Sequence, residues 1–423
     1  MTENRSRASN PETPLRIVPP GTPSAMAWSN RADELGRAGS GTQCIHAGAA
    51  PDPAYGAVTP PIYQTSTFAY LDVGTSAGFE YTRTSNPTRA CLEEAIALLE
   101  GGSSAACTSS GMSAALVALN LLEHGSHVLC PMDCYGGTYR TLEHAKHTSG
   151  IKVTYLDMAD LVEVENALEP STRMIWAETP SNPLLRLSDL ASLGKLCKEA
   201  GALLVVDNSF LSPILQQPFL WGADLVVHST SKFLNGHSDV VGGAVVAAPG
   251  RRDLGERLAM LNKTLGTSQS PHDCYLVLRG IKTLHLRMRV HEANARAVAE
   301  FLAGHPLVST VHYPGLASHP QHVLAKRQQL GFGGMVSFEL QKGSPAGVDR
   351  LLRSLRWFTL AEGLGGVESM VNHPATMSHA SMSPEIRERV GISDGLIRLS
   401  VGIEDIADLI EDLRHALESV FGS

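Results

Sequence analysis

The chain has 423 residues, 43% hydrophobic and 18% charged, enough apolar material for two or three packed units instead of one small domain. A formal net charge of -8, with acidic residues in both halves, excludes the basic face a nucleic-acid binder needs to neutralise phosphates. No run approaches the roughly 18 apolar residues of a membrane span, and the seven scattered cysteines lack zinc-finger spacing, which points to a reducing cytoplasm.

Residues 1–41 are rich in Pro, Ser, Asn and Arg without a hydrophobic period, so a flexible arm, or one lying on a neighbouring subunit, is expected there. The start lacks the apolar core of a secretory signal, and Glu3, Glu12, Asp33 and Glu34 interrupt the basic character of a transit peptide. From about Thr65 the texture changes. Leu92, Ile96 and Leu99 share one helical face, with Thr88 placed as N-cap after Asn86-Pro87. Short apolar runs follow at 128–131, 153–156, 174–177, 203–206, 225–228 and 244–247, with helical patterns such as 189–200 between several of them. This alternation predicts a mostly parallel, doubly wound α/β sheet covered on both faces. A single long helix is expected over 271–304, leading to a smaller C-terminal α/β domain with strands near 335–340 and 396–401 and a final helix over 405–420.

The densest group of chemically capable residues is His228-Ser229-Thr230-Ser231-Lys232, directly after an apolar strand. Val205-Val206-Asp207-Asn208 puts an acid at the end of another buried strand. In open α/β sheets the ligand crevice lies beyond the carboxyl ends of the strands, so both groups point to one place. Upstream, Ser109-Ser110-Gly111-Met112 opens an apolar helix, where small residues let backbone N–H groups approach an anion. A lysine that condenses with an aldehyde, an acid that pairs with a protonated pyridine nitrogen and a phosphate cradle are together the protein's share of pyridoxal phosphate chemistry. Taken singly, each piece has a plainer reading. The acid is equally a helix cap, and the turn at 109–112 is any strand–helix loop. Ser229 to Lys232 spells the Ser-x-x-Lys of serine acylases, but the Ser-Asp-Asn and Lys-Thr-Gly that accompany it are missing.

Longer motifs carry a resemblance: Phe79-Glu80-Tyr81-Thr82-Arg83-Thr84-Ser85-Asn86-Pro87, Tyr135-Gly136-Gly137-Thr138, Glu178-Thr179-Pro180-Ser181-Asn182-Pro183, Asn235-Gly236-His237-Ser238-Asp239 and Arg398-Leu399-Ser400-Val401-Gly402. With them, residues 42–420 closely resemble the Cys/Met-metabolism family of pyridoxal-phosphate enzymes, of cystathionine γ-lyase and γ-synthase type. The resemblance implies a fold-type-I architecture with a segment contacting a neighbouring subunit (42–100), a large cofactor domain (101–290) and a C-terminal domain (291–423). It implies that Lys232 carries the cofactor and moves protons, that Asp207 pairs with the pyridine nitrogen, and that Tyr135 stacks on the ring. Gly111, Met112, Ser229 and Ser231 would bind the phosphate, joined by Tyr81 and Arg83 from a neighbouring subunit. The site would then need at least a dimer, and a homotetramer is the expected assembly. Asn182 would sit near the cofactor's 3′ oxygen, and Arg398 would grip the substrate α-carboxylate with its planar fork. No metal role is expected for His319 and His322, since Pro320 places them in a loop, and His237 is expected to make a structural hydrogen bond.

Chemistry at Cγ needs a second deprotonation at Cβ and a roomy, polar site. Glu80 and Glu362 match positions that are acidic in γ-acting members, which argues against a β-lyase. Gly137 stands where methionine γ-lyases carry Cys. The stretches 270–275 and 282–285 read like the lyase, while 180–186 and 210–213 read like the synthase, and Arg140 would serve a distal carboxylate in either. The family's usual Ala-Glu-Ser-Leu-Gly-Gly is Ala361-Glu362-Gly363-Leu364-Gly365-Gly366 here, which changes the expected substrate wall. The expected reaction is γ-elimination on a γ-substituted L-2-aminobutyrate in the cytoplasm. The alternatives are γ-replacement on an O-acylhomoserine and elimination from an oxygen-linked amino acid. An idle regulatory pyridoxal-phosphate binder is disfavoured, because Lys232, Asp207, Tyr135 and Arg398 are all retained.

Overall fold

Apolar runs without polar alternation are satisfied only where both faces of a sheet are covered. In the computed structural model, which describes residues 32–52, 54–341, 345–380 and 382–420, seven such runs form one sheet. They are β1 (Ser104–Thr108), β2 (His127–Pro131), β3 (Lys152–Leu156), β4 (Thr172–Glu178), β5 (Leu203–Asp207), β6 (Leu225–His228) and β7 (Gly243–Ala247). Their order is β1-β7-β6-β5-β4-β2-β3. Strands β2 to β6 pair in parallel, and β7 runs antiparallel to both its neighbours, β1 and β6.

Successive residues of one strand enter different cores. Val128 and Cys130 pack with α2 (Gly111–Leu119) and α3 (Gly136–Thr148), whereas Leu129 between them packs with α4 (Leu190–Ala200) on the other face. The two faces thereby fix the register of β2, because a slip of one residue would exchange its two sets of neighbours. The helix α1 (Pro87–Glu100) and α5 (Pro271–Ile281) belong to a third cluster, with Leu92, Ile96, Val277 and Ile281 all buried.

A second, five-stranded sheet contains β8 (Val308–His312), β9 (Met335–Leu340), β10 (Thr359–Leu360), β11 (Met370–Asn372) and β12 (Leu396–Ser400), in the order β8-β9-β12-β11-β10. All its pairings are antiparallel except β10 with β11. The helices α6 (Leu284–Ala303) and α7 (Ile406–Ser419) cover it. Met288 of α6 lies in the core of the large unit, while Ala295, Val298 and Leu302 lie in the core of the small one. One helix thus spans the boundary expected at 290/291.

Three local features differ from the sequence reading. The helix α1 is capped by Asn86, not Thr88: the Asn86 carboxamide oxygen accepts from the N–H of Thr88 (2.9 Å) and of Arg89 (3.4 Å), and Pro87 occupies the first helical position. Thr88 instead ties the helix start to the preceding loop, donating to Pro61 O (2.8 Å) and accepting from Tyr63 N–H (2.9 Å). The pattern over 271–304 is two helices with a break at Lys282 and Thr283. Arg287 explains the break, since its guanidinium donates to Phe233 O (2.7 Å), Leu234 O (3.3 Å) and Gly280 O (2.8 Å) and gathers two distant carbonyls and one from the end of α5 at the turn. Of the expected arm, residues 1–31 lie outside the described residues, while Ala32–Gly36 and Ser40–His46 are short helices, and Leu35 packs on the core. No helix among the described residues is long and apolar enough to cross a membrane.

Replacing Asn86 by Ala removes two cap bonds and the bond from its amide to Tyr63 O (2.9 Å). The expected loss is about 1–2 kcal/mol of unfolding free energy, read as a lower denaturation midpoint at matched cofactor saturation. An unchanged midpoint would show that the cap contributes nothing.

Candidate active site

The carboxyl ends of β4, β5 and β6 deliver Glu178, Asp207 and the Ser229–Lys232 turn to one cavity of about 360 Å³. Eleven of the residues singled out from sequence line it: Gly111, Met112, Tyr135, Asn182, Asp207, Ser229, Ser231, Lys232, Glu362, Gly363 and Arg398. The volume falls within the range of about 300–1,000 Å³ common for small-molecule sites.

At one end of the cavity α2 begins. Ser110 caps it, its hydroxyl accepting from Ser113 N–H (3.0 Å). A side chain at Gly111 would stand 2.8 Å from Cβ of Ser229, so glycine is what lets the helix start close on the Ser229 turn. The Ser231 hydroxyl is held on the Gly242 backbone, accepting from its N–H (2.9 Å) and donating to its carbonyl (3.2 Å). The Ser229 N–H donates to Ser209 Oγ (2.7 Å), and the Ser209 N–H donates to the Asp207 carboxylate (3.0 Å). Ser209 therefore joins the acid to the turn that bears the lysine.

Burial pushes the Asp207 carboxyl above its ordinary value, opposed by the Ser209 hydroxyl and N–H and by His228. Glu178, opposite Asp207 in the strand register, is pushed well up by burial and by Asp207 itself. The Lys232 amine is pushed down to about 8, first by burial and then by the Arg398 guanidinium, against the pull of Glu362. Arg398, on β12, is 2% exposed and pushed down to about 10 by burial. Its Nη1 donates to Asn182 Oδ1 (2.8 Å), its Nη2 to the carbonyls of Glu362 (3.2 Å) and Gly363 (3.4 Å), and its Nε is buried without a partner.

The other four sequence candidates lie elsewhere in the subunit. Tyr81 and Arg83 are exposed and line a separate shallow groove with Gln64, Thr65, Ser66 and Pro271, the Arg83 guanidinium 5.8 Å from the Tyr81 ring centroid. Glu80 is exposed on the same segment, and Arg140 is exposed on α3. His237 bonds Asn235 O (2.7 Å), and His322 bonds Pro314 O (2.8 Å). Sequence reasoning passed over Glu178, Ser209, Phe210 and Ser378 as cavity residues. Glu178 was inside a quoted motif, but nothing in the motif says which way a strand-end side chain turns.

The donor set fits pyridoxal phosphate. A helix start and two serines face one part of the cavity, a buried acid lies at a strand end, an amine of lowered pKa waits between them, and an unsatisfied buried guanidinium awaits a further anion. On this α/β fold they define an enzyme of the pyridoxal-phosphate class. Residues 41–418 match the family described as Cys/Met metabolism PLP-dependent enzyme, and the chain belongs to that family. It is 48% identical over 379 residues to a cystathionine gamma-lyase of Bacillus subtilis strain 168 (90% of this chain, 99% of the relative). It is 51% identical over 390 residues to a cystathionine gamma-synthase of Mycobacterium tuberculosis strain H37Rv (92% and 99%). Proteins named cystathionine beta-lyase stand close by, at 46% and 47%. Among solved structures, cystathionine gamma synthase from Xanthomonas oryzae pv. oryzae in complex with cystathionine superposes with a TM-score of 0.88 at 49% identity, covering 90% of this chain and 98% of that one.

A lysine with a pKa of about 8 reacts as a neutral amine at far lower pH than a surface lysine does. In the cofactor-free protein, labelling of Lys232 by a small amine reagent should rise with pH through a midpoint of about 8, followed by peptide mass spectrometry. A midpoint equal to that of exposed lysines such as Lys195 would overturn the burial argument.

Proposed function

We propose that the enzyme catalyses γ-elimination on a γ-substituted L-2-aminobutyrate, consuming water and releasing 2-oxobutyrate, ammonium and the protonated leaving group. The observation that carries the reading is the meeting of Lys232 and Arg398 over one cavity, an amine able to be neutral near physiological pH beside a buried fork for a carboxylate. When bound, pyridoxal phosphate supplies the sink for the electron pair left by deprotonation.

The chain's own residues supply the rest. Gly111, Met112, Ser229 and Ser231 would hold the phosphate, Tyr135 would stack on the ring, and Asp207 would keep a proton on the ring nitrogen. Asn182 orients Arg398, which fixes the substrate α-carboxylate and with it the direction of the Cα–H bond. Lys232 would anchor the cofactor and, once freed, would take the Cα proton and move protons at Cβ. Two deprotonations by one base need an amine of moderate basicity, which burial and Arg398 provide. Glu362 lines the cavity mouth on its exposed side, where a γ-substituent would lie, and this supports chemistry at Cγ over chemistry at Cβ.

A second reading, replacement of an acyloxy group by a thiol, is supported by the 51% identity to a mycobacterial cystathionine gamma-synthase. Gly363 does not favour either reading, because a Cβ there would stand 2.8 Å from Sδ of Met370, which already fills that space. We place the enzyme in a reducing cytoplasm, supported by seven free thiols, six of them buried. Tyr81 and Arg83 lie outside their own cavity on an exposed segment where a partner's cavity could take them, so the working unit in this reading is at least a dimer, with a tetramer the natural closed form.

A panel of cystathionine, O-acylhomoserines with and without cysteine, and oxygen-linked analogues separates the two readings. Elimination predicts 2-oxobutyrate from cystathionine at rates well above cystathionine formation, and the reverse ranking supports the synthase. Lys232→Ala should abolish both turnover and the cofactor's visible absorbance band, and a variant retaining parental rates would sink the assignment.

Mixing Lys232→Ala with Arg83→Ala subunits should restore up to about a quarter of parental activity in a dimer, from random pairing that leaves one site intact in half the molecules. No recovery, with subunit exchange shown by native mass spectrometry, would count against a shared site.

A further inference from the structure

One acidic residue of the cavity has been given no part in the chemistry so far. Glu178 closes β4 and is 6% exposed. Its two carboxylate oxygens accept from backbone N–H groups on two separate loops: Oε2 from Tyr135 (2.8 Å) and Oε1 from Asn182 (2.9 Å). Tyr135 is the residue that precedes α3, and Asn182 is the residue whose carboxamide receives Arg398 Nη1 at 2.8 Å. The bonds form one continuous path from the Tyr135 backbone through Glu178 and Asn182 to Arg398, and on to the carbonyls of Glu362 and Gly363.

We infer that Glu178 is a positioning residue that sets the ring-stacking Tyr135 and the carboxylate-binding Arg398 in one register, so that cofactor and substrate are held by a single carboxylate. The inference rests on the reading that this cavity binds pyridoxal phosphate and an amino acid. Its chemistry is specific to a carboxylate. Two N–H donors need two acceptors, and a carboxylate offers one on each oxygen. Glutamine offers a carbonyl oxygen to one donor and turns its own NH2 toward the other, which leaves a buried clash of donors. Aspartate keeps both oxygens but is one methylene short. Neither conservative change reproduces the bridge, although both keep the volume nearly constant. Asp207 cannot take over the task, because its own oxygen is engaged by the Ser209 N–H.

The test compares the full-length enzyme with Glu178→Gln and Glu178→Asp, each loaded with cofactor and normalised to bound cofactor. We expect KM for the amino-acid substrate to rise on the order of tenfold or more, and the cofactor dissociation constant to rise on the order of tenfold, with kcat falling less than KM rises. A residue that only supports the fold would lower the denaturation midpoint and leave both constants of the loaded protein within twofold of the parent, and that result overturns the inference. Should neither variant fold, hydrogen exchange on the unmutated holoenzyme decides. The amides of Tyr135 and Asn182 should exchange at least on the order of a hundredfold slower than free peptide, and rapid exchange at both overturns the bridge. If the parent turns over none of the panel, the cofactor constant still tests Glu178. If the parent is active and the variants match it, only this inference falls.

Discussion

Two cations share one largely buried space, and the site is organised around that fact. Burial penalises the charged state of both, the Arg398 guanidinium depresses that of Lys232 further, and Glu362 at the exposed mouth eases both. A buried unpaired charge is costly, so a protein keeps two of them in one cavity only where ligands arrive to neutralise them. The ligands the reading requires are anions: a phosphate at the start of α2 and a carboxylate at the Arg398 fork. The lysine meanwhile escapes the conflict by losing its proton, which is the state its chemistry needs. Electrostatic strain in the empty cavity and reactivity in the loaded one thus come from the same geometry.

The large sheet makes this geometry nearly unavoidable. Parallel strands end together, so β4, β5 and β6 present Glu178, Asp207 and the Ser229–Lys232 turn along one edge. The acids are adjacent because β4 and β5 are adjacent, with Glu178 paired to Asp207 in the register. Burial raises both carboxyl groups and Asp207 raises Glu178 further, and each is then steadied by N–H donors: Ser209 for Asp207, Tyr135 and Asn182 for Glu178. A backbone donor costs no side-chain ordering and cannot swing away, which suits groups whose protonation must stay fixed while a neighbour's changes.

What was legible in the sequence was whatever depends on one strand and the turn after it. Lys232, Asp207 and Gly111 announce themselves because strand, turn and residue type are contiguous. The helix cap was misplaced by two residues, since Asn and Thr both serve as caps and only the extended backbone at Asn86 decides between them. The break between α5 and α6 was invisible, because the apolar period continues across it. Its cause, Arg287, acts on carbonyls some fifty residues away in sequence. Glu178 was legible as a letter of a motif but not as a bridge, for its partners lie on two separate loops. The surface position of Tyr81 and Arg83 likewise follows from the path of residues 60–83 over the outside of the large unit, which no local pattern records.

Arg398 shows why the second sheet belongs to the site as much as the first. It is borne by β12, between β9 and β11, and its Asn182 partner lies 216 residues earlier in the chain, after β4. A bond of that kind is only as accurate as the interface between the units. The interface is held at two further points: Ser337 donates to Pro183 O (2.6 Å), beside Asn182, and Gln328 accepts from Leu190 N–H (2.9 Å), the first residue of α4. Within the small unit, His291 of α6 meets Val401 O (2.7 Å). Burial drives His291 down to about 4, so it stays neutral in the folded protein across the physiological range. The unfolded chain binds that proton near pH 6.5 and the folded chain does not, so this contribution is complete above that value and fades as pH falls toward 4. In the proposed reading the substrate carboxylate meets a residue whose place is set by the packing of α6 across both cores, so specificity at the fork would be a property of the whole subunit.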